Sequence, residues 1–246
     1  MNYLLDLHTH TLASGHAYST ITEMAHAAAM TGLDMLGITE HAPEMPGTCH
    51  SFYFMNLNAI PRKMESVKLL FGVELNLLNA DGDVDLPEET LAKMDITIAS
   101  LHTPCFKPQG IKENTQAVLN AIKNPYIDII GHPDDGRYPL DYEAIVKEAK
   151  KYHTLLEINN ASLNPEGFRK NTRENDIEML KICKAYGVPV VLSSDAHYAD
   201  AVGKFPFAKE VIKAAGFPEN LIANHKKELL FATLAEKKNR SGLYKF

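Results

Sequence analysis

The sequence contains two motifs in which residues of metal-binding type stand two positions apart, His8-x-His10 and Asp195-x-His197. On an extended strand, residues with this spacing point to the same side, so both side chains can bind one cation. Imidazole nitrogens and carboxylate oxygens are ligands of zinc and of other divalent metals. The spacing therefore predicts a metal site, although either motif alone is also compatible with solvent-facing side chains at a strand end.

Further candidate ligands follow other apolar segments of the chain. Glu74 comes directly after Leu69–Val73, and a carboxylate buried there needs a cation or several hydrogen-bond donors. A single histidine in such a place is more often a structural side chain. The complete candidate set is His8, His10, His16, His41, Glu74, His102, His132, Asp195 and His197. Catalytic zinc commonly keeps about three protein ligands, so this set predicts three metals, with two metals as the alternative.

Short apolar runs alternate with amphipathic stretches along the whole chain, which favours a parallel β-sheet covered by helices. The predicted strands are Tyr3–Leu7, Met35–Thr39, Lys68–Leu75, Ile96–Ser100, Ile127–Gly131, Leu155–Asn159 and Val188–Ser193. Their ends recur at steps of about 30 residues, the length of one βαβ unit. This pattern predicts an α/β fold of one domain, a (β/α)7 barrel related to the TIM barrel. In such a barrel the carboxyl ends of the strands meet on one face, and six of the seven ends carry His, Glu or Asp.

Local signals predict several boundaries within this frame. Thr20-x-x-Glu23 is a capping box at a helix start, and Thr172 precedes a helix predicted over Arg173–Tyr186. The segment Glu44–Pro61 has little periodicity and predicts a long loop with a short helix near Phe54–Ile60. The tail Glu219–Lys238 has apolar residues at helical spacing and predicts closing helices.

Composition narrows the class of protein. The 246 residues carry a net charge of −6 and no run of Lys or Arg, which argues against a nucleic-acid-binding surface. No apolar run approaches the length of a membrane span, and the amino terminus does not resemble a signal peptide, so we expect a cytoplasmic protein without membrane contact. A homo-oligomer is compatible with the sequence. Cys49, Cys105 and Cys183 are odd in number and far apart, which argues against disulfides and thiolate zinc sites.

Seven motifs in order resemble those of the PHP superfamily, named for polymerase and histidinol phosphatase, and especially its stand-alone phosphatases of the YcdX type. The motifs are H-T-H-T-L-A-S-G-H at 8–16, I-T-E-H at 38–41, G-V-E at 72–74, S-L-H at 100–102, G-H-P at 131–133, E-I-N-N at 157–160 and S-D-A-H at 194–197. The resemblance extends over nearly all of residues 1–246, treated as one PHP domain. It implies a distorted seven-stranded barrel with a trinuclear metal centre, usually zinc, with Mn or Fe as alternatives.

The resemblance also implies how the nine residues are distributed over three metals. His8, His10, Glu74 and Asp195 would surround the first, while Glu74, His102 and His132 would hold the second, with Glu74 bridging. His16, His41 and His197 would hold the third.

The function that we predict from this site is hydrolysis of phosphomonoesters of small molecules by a metal-activated hydroxide. Glu74, Asp195 and His197 are the predicted catalytic residues. Arg169, in the loop after the sixth strand, is predicted to contact the substrate phosphate, although a lone Arg in a polar loop is equally often a surface residue. Glu40, next to His41, is a candidate partner that orients an imidazole.

Other functions are compatible with the same ligands. Histidinol phosphatase or phosphodiesterase activity could use this metal site, and a non-catalytic metal-binding regulatory protein would show no metal-dependent turnover of a phosphoester. An amidohydrolase-type enzyme also begins with H-x-H, but it would be expected to carry a metal-bridging Lys after a middle strand, where this chain has Ser100-Leu101-His102.

Overall fold

The computed structural model describes residues 3–241, with side chains described up to Lys237. The strands are β1 (Leu5–Asp6), β2 (Met35–His41), β3 (Lys63–Met64), β4 (Val67–Asn76), β5 (Ile96–Ser100), β6 (Ile129–Ile130), β7 (Leu155–Asn159) and β8 (Val190–Ser193). The central element is a parallel sheet in the order β1-β2-β4-β5-β6-β7-β8, with β3 paired antiparallel to β4. The seven parallel strands curl into a nearly closed barrel. This confirms the predicted single-domain α/β barrel, whereas the extent of the PHP domain over 1–246 stays a prediction.

Helices connect successive strands and cover the outside of the barrel, except that the last helix packs Leu230 and Leu234 against the inner apolar cluster. They are α1 (Ile21–Met30), α2 (Phe52–Met55), α3 (Glu88–Leu91), α4 (Ile111–Lys123), α5 (Tyr142–Tyr152), α6 (Thr172–Tyr186), α7 (Pro206–Ala215) and α8 (Lys227–Ser241). The predicted capping box is confirmed, because the Thr20 side chain accepts from the Glu23 backbone and the Glu23 carboxylate accepts from the Thr20 backbone. Among the described residues, no helix has the length and apolar character that crossing a membrane requires.

Five of the seven predicted strands differ in extent from the structure: β1, β6 and β8 are shorter than predicted, and β2 and β4 are longer. Two predicted helix starts also differ. α6 begins at Thr172, one residue earlier than predicted, because Asn171 in a left-handed conformation takes the N-cap position. The helix predicted near Phe54–Ile60 is α2, which begins earlier, followed by a 3₁₀ turn at Leu57–Ala59. Both differences reflect local backbone geometry that hydrophobic spacing does not resolve.

Alternation along the strands determines which residues face the barrel interior. Leu70 and Leu155 belong to the inner apolar cluster, so the period of two places Glu74 and Glu157 on the same inner face, nearer the carboxyl ends. Gly72 lies between Leu70 and Glu74 in this series, and a Cβ there would come within 2.1 Å of the Ile96 carbonyl oxygen. The interior is therefore narrow, apolar toward the amino ends of the strands and polar toward the carboxyl ends.

The barrel is completed between β1 and β8 by residues outside the regular strands. The Asn224 side chain donates to the carbonyl oxygens of Leu5 and Leu192 at 2.9 and 2.7 Å and accepts from the Leu192 backbone at 2.8 Å. Nearer the carboxyl end, the His10 backbone donates to the Ala196 oxygen. These bonds bring the His8-x-His10 and Asp195-x-His197 motifs next to each other.

Lys237 of α8 is buried at the amino end of the barrel, where its Nζ donates to the Ile122 oxygen and to Thr154 Oγ1 at 3.0 and 2.7 Å. Burial lowers the pKa of Lys237 from 10.5 to about 8, and nearby Asp128 opposes this shift.

From about pH 8 to 10.5 the unfolded chain therefore binds more protons at Lys237 than the native protein, so stability should rise with pH. Between pH 7 and pH 10, we expect the free energy of unfolding of the wild type to rise by about 2 kcal/mol more than that of Lys237→Met. Denaturant titrations of both proteins measure this difference, and a pH-independent difference would contradict the assignment.

Candidate metal centre

All nine predicted ligand residues lie at the carboxyl end of the barrel. They are carried by different strands and the loops that follow them: His8, His10 and His16 after β1, His41 in β2, Glu74 in β4, His102 after β5, His132 after β6, and Asp195 and His197 after β8. Most are buried, and His16 is exposed. The cluster therefore forms only when the barrel closes.

Glu74 lies at the centre of this cluster, with its side chain 1% exposed. Both carboxylate oxygens face imidazoles that come from four different strands or strand ends. The distances to Oε1 are 3.0 Å from His132 Nε2 and 3.1 Å from His102 Nε2, and those to Oε2 are 2.7 Å from His41 Nδ1, 3.3 Å from His8 Nε2 and 3.5 Å from His10 Nε2. This position between two groups of imidazoles suits a carboxylate that bridges two cations.

Asp195 forms a second acidic centre on the β8 side. Its Oδ1 lies 3.3 Å from His10 Nε2, 3.6 Å from His8 Nε2 and 3.6 Å from His197 Nδ1. Asp195 and His132 both have positive φ, 54° and 29°, a conformation that residues other than Gly seldom adopt. Backbone strain of this kind concentrates at functional sites, where the surrounding structure maintains it.

His16 reaches back over the barrel mouth from its loop. Its ring centroid lies 4.8 Å from that of His41 and 4.9 Å from that of His197. These three rings are the predicted third set, and the structure brings them into contact. The possible ligand atoms of His10, His41 and His197 also lie close together. This group differs from the predicted third set in that His10 takes the place of His16.

The donor atoms of the cluster fit divalent cations. Four buried ligand atoms of the cluster have no hydrogen-bond partner among the described residues: His41 Nδ1, Glu74 Oε2, His102 Nε2 and Asp195 Oδ1. His41 Nδ1 and Glu74 Oε2 lie 2.7 Å apart without hydrogen-bond geometry. Buried polar atoms without partners are costly, and a shared cation would satisfy both. Ligand atoms within 4.8 Å of one another also group His8 with His10 and Glu74, and His41 with Glu74 and His102.

The electrostatics differ between the two sides of the cluster. Burial lowers the pKa of His8, but Glu157, Glu74 and Asp195 outweigh this and raise it well above the ordinary value. Burial lowers the pKa of His10, and the neighbouring His41 and His197 lower it further. The His8 side is therefore electronegative and attracts cations, while His10 is held neutral, the protonation state in which an imidazole binds a metal.

Burial also acts on the carboxylates, where it raises the pKa. For Glu74, the imidazoles of His102, His8 and His41 outweigh the effect of burial and hold the pKa well below the ordinary range. For Asp195, the neighbouring His8, His10 and His197 have the same effect on the pKa. Both carboxylates are thus ionised and available as ligands at neutral pH.

Three residues outside the predicted ligand set hold Nδ1 of a cluster histidine. Glu157 Oε1 accepts from His8 Nδ1 at 2.8 Å, and Asn76 Oδ1 accepts from His102 Nδ1 at 2.7 Å. Ser14 Oγ lies 3.0 Å from His10 Nδ1. In each case Nδ1 points outward, so Nε2 is the ring nitrogen that faces the cluster and that would bind a cation. Sequence reasoning did not assign these roles, although a Glu within the apolar run Leu155–Ile158 was an available signal.

The predicted orienting role of Glu40 is exerted through Ser14. Glu40 is buried and accepts from Ser14 Oγ at 2.6 Å, from the Thr11 backbone at 2.9 Å and from the Tyr53 hydroxyl at 3.2 Å. Because the Ser14 hydroxyl donates to Glu40, its oxygen accepts from His10 Nδ1. Glu40 therefore orients the imidazole of His10 rather than that of its neighbour His41.

We expect Glu157→Gln to weaken zinc binding by about 10- to 100-fold, the usual effect of removing a carboxylate that orients a metal-binding histidine. The Gln amide can present an N–H to His8 Nδ1, which favours the wrong tautomer. Competition with a chromogenic chelator measures the affinity. Glu143→Gln, on the exposed face of α5, is the control and should bind zinc like the wild type. Unchanged zinc affinity in Glu157→Gln would show that this hydrogen bond does not orient a ligand.

A cavity of about 440 Å³ opens directly above the cluster. His16, His41, His102, Asp195 and His197 form its floor, and Arg169 is part of its wall. The Arg169 side chain is 10% exposed, and its Nη1 lies 3.3 Å from Asp195 Oδ2. The volume lies within the range of small-molecule sites. The predicted substrate-contacting arginine therefore lines the cavity next to the predicted ligands.

Comparison with known proteins identifies the family. The profile of the PHP domain matches residues 6–164, a range that contains the cluster residues from His8 to His132 and also Glu157. The chain belongs to the PHP domain family. The predicted family is thereby confirmed.

Full-length relatives of this PHP protein are named as phosphatases. A probable phosphatase of Thermoanaerobacter sp. (strain X514) is 48% identical over 243 residues, covering 98% of each chain. A probable phosphatase of Clostridium novyi (strain NT) is 45% identical over 237 residues, covering 96% of each. These matches cover nearly all of this PHP protein, including the part that follows the family match.

A solved structure with the same fold is the histidinol phosphate phosphatase of Lactococcus lactis in complex with zinc, L-histidinol and phosphate. It superimposes with a TM-score of 0.65 at 21% identity, covering 89% of this chain and 95% of the other. At this identity the likeness establishes the barrel fold.

Proposed function

We propose that this PHP protein is a metal-dependent phosphatase that hydrolyses phosphomonoesters of small molecules, with zinc at three sites per chain. The observation that carries the proposal is Glu74, a buried carboxylate surrounded by five imidazoles below an open cavity. The names of the full-length relatives support phosphatase activity. The zinc and phosphate bound by the Lactococcus lactis enzyme support the choice of metal and of substrate group.

The residues that would hold the metals are the nine cluster residues in the predicted sets. Glu74 would bridge the His8, His10 and Asp195 set to the His102 and His132 set, and His16, His41 and His197 would form the third. Divalent cations lower the pKa of water that they coordinate and neutralise charge on phosphoryl oxygens. The protein's part is to hold these ligands in a barrel whose strand ends fix their separation.

Other side chains of the cavity act on the substrate. Arg169 has a guanidinium that stays charged and lines the cavity, so its N–H groups can donate to a phosphate oxygen. Burial lowers the pKa of the Arg169 guanidinium, but Asp195, Asp134 and Glu74 raise it overall. His197, with a side chain 30% exposed, lies at the boundary between cluster and cavity, where it can contact both phosphate and leaving group. Asp195 orients both residues.

Elemental analysis and a phosphatase screen on the same sample test the proposal. We expect about three zinc ions per chain and hydrolysis of an aryl phosphate and of small phosphomonoesters, with little turnover of a phosphodiester. Histidinol phosphate belongs in the panel, since selective turnover of it would assign the alternative activity. Three metals without hydrolysis of any phosphoester would overturn the proposed function, while leaving the metal site and a regulatory role.

A further inference from the structure

The wall of the cavity above the cluster carries two arginines on different loops. Arg137 follows β6 and Arg169 follows β7, and the ring of Phe168 lies between them. The guanidinium carbons of Arg137 and Arg169 lie 4.8 and 5.5 Å from the centroid of that ring. All three side chains line the cavity, so one small ligand can reach both charges. Arg169 lies against the metal cluster, whereas Arg137 lies farther from it, and no contact of Arg137 with a cluster carboxylate is present among the described residues.

Arg137 is held in a fixed orientation by Asp135. Arg137 Nε donates to Asp135 Oδ1 and Oδ2 at 3.0 and 2.9 Å, and Nη2 donates to Oδ2 at 2.6 Å. Asp135 is buried, and its carboxylate faces the guanidinium, while the Arg137 side chain is 22% exposed. Within residues 3–241, Nη1 of Arg137 has no partner. A guanidinium oriented in advance, with unused N–H donors at a cavity wall, is suited to bind an oxyanion.

The chemical character of the other cavity walls indicates which ligand groups can lie next to Arg137. Met45, Pro104 and Phe168 are apolar, and the carboxylate of Asp135 is occupied by Arg137, so it is not available to a ligand amine. A ligand that extends from the metal cluster past Phe168 therefore meets guanidinium N–H groups at its far end. This arrangement favours an anionic substituent over an ammonium group, because a carboxylate or phosphate accepts from the free N–H groups of Arg137 whereas an ammonium can only donate.

We propose that Arg137 is a specificity-determining residue that binds a second anionic group of the substrate, a carboxylate or a second phosphate, while the scissile phosphate lies at the cluster and Arg169. This inference rests on the proposed phosphatase function and extends it to a substrate class. The preferred substrates are then small phosphomonoesters with an additional oxyanion, rather than phosphorylated amines such as histidinol phosphate.

Binding of non-hydrolysable phosphonates to the zinc-loaded protein tests this inference without relying on turnover. Propylphosphonate, phosphonopropionate and aminopropylphosphonate have similar length and end in a methyl group, a carboxylate and an amine. We expect calorimetry to give about 10- to 100-fold tighter binding of the carboxylate than of the methyl compound, the effect of one charge-assisted hydrogen bond. The amine should bind more weakly than either. Propylene bisphosphonate decides whether a second phosphate is preferred over a carboxylate.

Two variants assign the preference to Arg137. In Arg137→Met the ratio of carboxylate to methyl binding should fall to about one, and Arg137→Lys, which keeps the charge without the planar fork, should retain only part of it. Arg62→Met is the matched control, because Arg62 also pairs with an aspartate, Asp95, and lies over a ring, that of Phe71, outside the cavity. It should keep the wild-type ratio.

The outcomes separate this inference from the function on which it rests. Equal binding of the carboxylate and methyl compounds by the wild type, with hydrolysis of aryl phosphate intact, would overturn the role of Arg137 alone. A preference that persists in Arg137→Met would do the same. If the zinc-loaded protein binds no phosphonate and hydrolyses no phosphomonoester, the proposed function fails and the inference fails with it.

Discussion

Glu74→Gln is expected to lose bound metal and to reduce phosphatase turnover by about 10³-fold, since metal-assisted charge stabilisation contributes several kcal/mol to catalysis. The substitution keeps the shape of the side chain but removes the negative charge that faces five imidazoles within 3.5 Å. The new amide nitrogen is a donor and cannot coordinate a second cation. The loss of one oxygen ligand should therefore disrupt both metal positions that Glu74 is proposed to bridge.

Metal content per chain and kcat for an aryl phosphate, measured on the same preparation, test this expectation. Glu65→Gln is the matched control, because Glu65 also contacts a histidine, His26 Nδ1 at 2.8 Å, but both side chains lie on the surface, 49% and 63% exposed. It should keep wild-type metal content and turnover. If Glu74→Gln retains full metal content and full turnover, the bridging assignment is wrong.

Removal of the metals is expected to abolish turnover and to destabilise the fold. Four buried ligand atoms of the cluster have no hydrogen-bond partner among the described residues, so they lose their compensation when the cation leaves. A cation that binds only the native state stabilises it by about 4 kcal/mol at a free concentration 1,000-fold above Kd. For a chain of this size that corresponds to a rise in Tm of roughly 8–16 °C.

Thermal unfolding of chelator-dialysed and zinc-reloaded protein measures this difference, with activity assayed in parallel. Readdition of zinc should restore both Tm and turnover. Glu74→Gln provides the control, since its Tm should respond less to the chelator than that of the wild type. Full turnover in protein whose metal content has fallen to zero would show that the cluster is not the catalytic centre.

Much of the fold was predictable because it depends on local and periodic features. Apolar runs about 30 residues apart predict parallel strands, since a strand buried on both faces must be apolar along its length. The capping box at Thr20 and Glu23 forms as predicted because all its atoms lie within one turn. The nine cluster residues were predictable for a related reason. In a parallel barrel all carboxyl strand ends share one face, so residues far apart in sequence meet there.

The tertiary structure alone decided how those residues are oriented. Glu157 accepts from His8, which is 149 positions away, and Asn76 at the end of β4 accepts from His102, which follows the neighbouring strand β5. Such partners depend on strand register and on the direction of each side chain, which a one-residue shift would reverse. The contact between Arg137 and the Phe168 ring likewise depends on the conformations of the loops that follow β6 and β7. The sequence determined which residues reach the barrel mouth, because strand periodicity is local, whereas their hydrogen-bond partners and the cavity above them depend on contacts between distant segments.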